Sequence, residues 1–76
     1  MKYVVDRFDS GSSSIWLKDD YTGNDHKVIK LTSNDWAGYG REIQVIATDK
    51  VAVVTLKNGM IKQFDLTKSN VAVEIV

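Results

Sequence analysis

The chain of 76 residues contains no cysteine and only one histidine. Without thiols there is no disulfide to staple the fold, and no thiolate to bind a metal or attack a substrate. His26 leaves any zinc site or histidine-assisted nucleophile a single imidazole, so neither a metal nor a cofactor is expected. No window approaches the run of about 18 apolar residues that a membrane helix requires. The opening MKYVVDRF breaks its apolar stretch at Asp6 and Arg7, short of the h-region of a signal peptide. No membrane partner and a cytoplasmic location are the expectations.

Net charge is also missing. Ten basic residues balance ten acidic ones, with three basic against five acidic up to Asp25 and seven against five after it. Neither half has the clustered basic excess that marks a polyanion-binding face. An apolar content of 43% with 26% charged residues nevertheless predicts a folded chain. At this length it forms one domain, residues 1–76, close to the size below which a single core struggles without staples.

What is present is strand. The segments KYVVDRF, SIWLK, HKVIKLT, REIQVIAT, VAVVTLK, MIKQFDL and VAVEIV are rich in Val, Ile, Thr and aromatics. Clusters of Gly, Asn, Asp and Ser separate them, with turn chemistry instead of helix starts. The fold class predicted is all-β: a small curled antiparallel sheet or barrel, compatible with SH3-like or OB-like architectures, with five to seven short strands. At most one helical turn is expected, within residues 33–40, capped by Ser33, Asn34 or Asp35. The expected core comprises Val4, Ile15, Leu17, Ile29, Leu31, Ile43, Val45, Val54, Leu56, Phe64, Val73 and Ile75.

The hairpin at Asn58-Gly59 has two registers. A two-residue turn divides the apolar residues between both faces. A three-residue loop, with Gly59 left-handed in a bulge, collects Ala52, Val54, Leu56, Met60, Phe64 and Leu66 on one face, interrupted only by Lys62. The second register is predicted. Its opposite face, Val51, Val53, Thr55, Ile61, Gln63 and Asp65, is too apolar to be wholly wet.

The polar clusters resemble sites but lack their patterns. DDYTGND gathers Asp19, Asp20, Asn24 and Asp25, but Lys30 stands where a calcium loop needs its last carboxylate. DSGSSS leads into a strand, whereas familiar phosphate cradles open a helix. No catalytic residues are assigned, and the chain is expected not to be an enzyme.

SNDWAGYG places two aromatics in a loop. Trp36 and Tyr39 either plug one end of the barrel or are presented to a partner. Because the strands already supply aliphatic residues for a core, both are expected at least partly exposed, at the centre of a binding surface. Trp16 and Tyr21 extend that surface if the two regions are neighbours. The function expected is a non-enzymatic protein-binding module: an inhibitor, adaptor or regulator, as on a phage or other mobile element. The alternative is a single-stranded nucleic-acid-binding barrel, with bases stacked on the same rings. VAVEIV, residues 71–76, must pair, either within the sheet or as the edge of a homodimer.

Overall fold

A computed structural model describes residues 2–24, 26–36, 43–57 and 59–76. Seven strands and one helical turn follow one another: β1 (Tyr3–Asp9), β2 (Ser14–Asp19), β3 (Lys27–Lys30), α1 (Ser33–Trp36), β4 (Gln44–Ala47), β5 (Val51–Thr55), β6 (Ile61–Asp65) and β7 (Val73–Ile75). They form two antiparallel sheets, of three strands in the order β1-β2-β3 and four in the order β4-β5-β6-β7. The all-β class is as expected, but the sheets do not close into a barrel.

Two junctions tie the sheets together. At one, Val28 on β3 forms a parallel bridge with Val71: its N–H donates to the Asn70 carbonyl, and its carbonyl accepts from Ala72 N–H. At the other, Tyr3 N–H donates to the Thr48 carbonyl at 3.2 Å. The C-terminal segment therefore serves both sheets, with residues 70–72 against β3 and β7 against β6.

The β5–β6 hairpin adopts the predicted register. Leu56 N–H donates to the Met60 carbonyl and Gly59 N–H to the Leu56 carbonyl, with Gly59 at φ 87°. Only glycine takes that conformation without a Cβ penalty. Ala52 and Val54 on β5, Phe64 on β6, and Leu56 and Leu66 just beyond the strands are all buried. Met60, expected on this face, is exposed.

β1 departs from simple alternation. Val5 pairs with Leu17 but Arg7 pairs with Trp16, so Asp6 is an extra, bulged residue. Tyr3, Val5 and Phe8 consequently lie opposite Asp19, Leu17 and Ile15, whose side chains are all buried. Val4, expected in the core, sits opposite Lys18 on the other face. On β2 the period-2 pattern holds, with Ile15, Leu17 and Asp19 inward and Trp16 and Lys18 outward.

One core joins both sheets. Tyr3, Ile15, Leu17 and Ile29 come from the first, and Ala52, Val54 and Phe64 from the second. Leu31 and Val45 pack against it, half-buried. Val73 and Ile75 were expected there and are instead half-exposed, because β7 pairs them with Asp65 and Gln63 on the outer face.

The single helical turn falls where expected, but its cap is Thr32: the Thr32 hydroxyl accepts from Asp35 N–H at 3.1 Å and the Thr32 carbonyl from Trp36 N–H at 3.0 Å. Ser33 and Asn34 lie inside the turn, and Asp35 points to Lys62.

Candidate functional site

Of the aromatics expected to share a surface, the three described ones occupy different places in the fold. Trp36 is 3% exposed and belongs to the core, with the Phe8 ring at 6.1 Å and a 60° tilt. The expectation that it is exposed is corrected. Its side chain joins the same cluster as Ile43, Ala52 and Ala72, so the aliphatic residues of the strands do not make up the core alone. Tyr39 lies outside the described residues. Tyr21 projects from the β2–β3 turn, 91% exposed. Trp16 lies half-buried on the outer face of the first sheet, with the Arg7 guanidinium 5.0 Å from its ring centroid and the His26 ring edge-on at 6.3 Å.

Polar groups that looked like chemistry have structural partners. The Asp19 side chain is fully buried, and its Oδ1 accepts from Tyr21 N–H at 2.7 Å and Thr22 N–H at 3.1 Å. It folds the DDYTGND turn from inside. Asp6 pairs with His26 at 3.3 Å and with Lys18 at 3.9 Å on the exposed flank of Trp16. In the DSGSSS loop, Ser13 takes φ 54° while its carbonyl accepts from Leu31 N–H. No cluster of His, Asp and Glu among the described residues is arranged to hold a metal ion.

Lys62, the interruption on the inward face of β6, ends the core with an ion pair. Its Nζ lies 2.6 Å from Asp35 Oδ2 and 3.9 Å from Glu74 Oε1. The hydrogen bond from Lys62 holds the Asp35 carboxyl below its usual range, against the opposing effect of burial. The same bond raises the Lys62 ammonium above its ordinary value. This fixes α1, and Trp36 with it, against β6.

A groove of about 350 Å³ runs between β1 and β4, lined by residues 2–5 and 45–47. Those residues contain no acid–base pair among them.

The exposed apolar surface lies elsewhere, on the outer face of the four-stranded sheet. Strand register aligns Ile46, Val53, Gln63 and Ile75 in one row across all four strands. Gln44, Thr55 and Ile61 form the row on one side, and Val51, Asp65 and Val73 the row on the other. Ile46 is 72% exposed, Ile61 61%, Val73 50% and Ile75 46%, with half-buried Val53 and exposed Gln63 between Ile46 and Ile75, so large aliphatic side chains face water on β4, β6 and β7. Asp65 is the only ionisable residue in these rows. Its Oδ1 accepts from Thr67 N–H and Oγ1 at 2.7 and 2.6 Å, and these bonds hold its carboxyl below the usual range.

The signal for this face was present in VAVVTL, where both parities of the strand are apolar, and in MIKQFDL at Ile61 alone among its outward residues. A scan for aromatic loops passes over it because valine and isoleucine in strands read first as core.

The chain matches no family model, no curated protein and no solved structure. No helix among the described residues is long and apolar enough to cross a membrane.

Proposed function

We propose that this chain acts by binding another protein, without turnover, through the outer face of β4–β7. Its role is then that of an inhibitor, adaptor or regulator. The observation that carries the reading is the set of Ile46, Ile61, Val73 and Ile75 exposed to water on one face of the sheet, with half-buried Val53 among them. Contiguous apolar patches of several hundred Å² on small proteins mark interaction sites. Trp36 is buried and Trp16 is half-buried beside Arg7 and His26, so the proposed contact moves from the aromatic residues to this sheet.

A second reading has one observation of its own: Trp16 lies beside Arg7 on the outer face of β1–β3, an arrangement that suits base stacking beside a phosphate. Asp6, between Lys18 and His26, works against it. The test is retention of proteins from the producing cells by immobilised wild type and by Ile46→Lys. Loss of the retained protein in the variant, with an unchanged melting temperature, supports protein binding by this face. Salt-sensitive recovery of oligonucleotides, abolished by Trp16→Ala, would replace it with the nucleic-acid reading.

A further inference from the structure

We infer that, while no partner protein is bound, this face is covered by a second copy of the chain, stacked sheet on sheet across a two-fold axis, so that the dimer and the partner compete for one surface. The inference rests on the outer face of β4–β7 being the contact surface, and adds what covers it.

Charge permits the pairing. The chain as a whole is neutral, so two copies approach without net repulsion. Within the face the single carboxylate, Asp65, lies in the outermost row and is already engaged by Thr67. The central row holds Ile46, Val53, Gln63 and Ile75, none of them ionisable, so a two-fold axis through that row brings no charge against its own copy.

Area is sufficient for a reversible dimer. Four strands about 4.8 Å apart, of four, five, five and three residues at about 3.3 Å each, give a face of roughly 270 Å² in plan. Corrugation by side chains raises its accessible area to about 400–500 Å², so stacking removes roughly 800–1,000 Å² in total. That lies at the low end of specific interfaces, the size of a weak, reversible contact. Two such sheets pack about 10 Å apart with strands crossing at about 30°, and the buried row then becomes the core of a sandwich.

Size favours self-association while no partner is bound. A 76-residue chain without cysteine lies in the range where small domains gain stability by self-association. A self-complementary face supplies that in every cell that makes the chain.

The test is sedimentation equilibrium of the full chain from about 5 μM to about 1 mM, with wild type, Ile46→Lys and Ile61→Lys. Both replaced side chains are mostly solvent-exposed, on different strands, so each variant retains the β-type circular dichroism of the wild type. The expected result is a mass rising toward twice 8.5 kDa in wild type, with the dissociation constant weakened by at least about 100-fold in each variant. A wild type that remains monomeric throughout overturns the dimer; if Ile46→Lys still abolishes capture of another protein, the binding face survives that failure. A dimer indifferent to both lysines but lost with Val73→Pro also overturns it, in favour of pairing along the edge at Val71–Val76.

Discussion

Truncating Trp36 to alanine separates a core side chain from a binding one. The indole is 3% exposed, packs within 6.1 Å of the Phe8 ring and sits one residue from the Asp35–Lys62 ion pair. Removing a buried ring of this size costs about 3–5 kcal/mol through lost transfer energy and the cavity left behind. A domain of this length has a total stability of about 4–11 kcal/mol. With a urea m-value near 1 kcal/mol/M for so small a chain, the midpoint falls by about 3 M or more. Far-UV circular dichroism follows the transition, since the substitution removes one of the two tryptophans that would report by fluorescence. A midpoint within about 0.5 M of wild type refutes the placement of Trp36 in the core.

Gly59→Val destabilises by about 1–2 kcal/mol or more, read from chemical denaturation, purely from the positive φ, since no atom lies within 4 Å of the added Cβ. Ser13→Gly does the reverse: relieving φ 54° raises stability by about 0.5–1 kcal/mol, and a lowered midpoint contradicts it. Because the Asp35 carboxyl is lowered in the folded state, the unfolded chain binds more protons near its ordinary pKa of 3.8, so the contribution of Asp35 is present above that pH and is lost as pH falls through the lowered folded value. In acid titrations Asp35→Asn therefore shows its largest deficit near neutrality and converges on wild type only once the pH has fallen through the lowered folded value.

Legibility in the sequence followed how locally each feature is determined. The bulged hairpin was readable because a glycine at 59 and an apolar set at 52, 54, 56, 64 and 66 agree on one register. β1 was not, since the bulge at Asp6 changes which residues face inward halfway along the strand. Nothing in YVVDRFD alone marks the residue that slips. Val73 and Ile75 alternate as a core strand would, yet their face depends on β6, whose outward residues they oppose. Trp36 misled for a related reason: counting the aliphatic residues of the strands does not show whether they make up the core alone. The face now proposed for binding was visible as excess hydrophobicity on the second side of β5, and on β6 at Ile61 alone. What no local pattern shows is that the first sheet leaves this side uncovered, a property of how the two sheets meet.

The most direct test of the central claim is a methyl NMR dilution series with isoleucine and valine side chains labelled. On raising the concentration, Ile46, Val53, Ile61, Val73 and Ile75 should shift together along one binding curve, while Ile15 and Ile29, buried beneath the first sheet, remain still. Shifts confined to the surroundings of Trp16 and Tyr21, or no shift at any methyl up to the highest concentration, would contradict a self-complementary contact on the outer face of β4–β7.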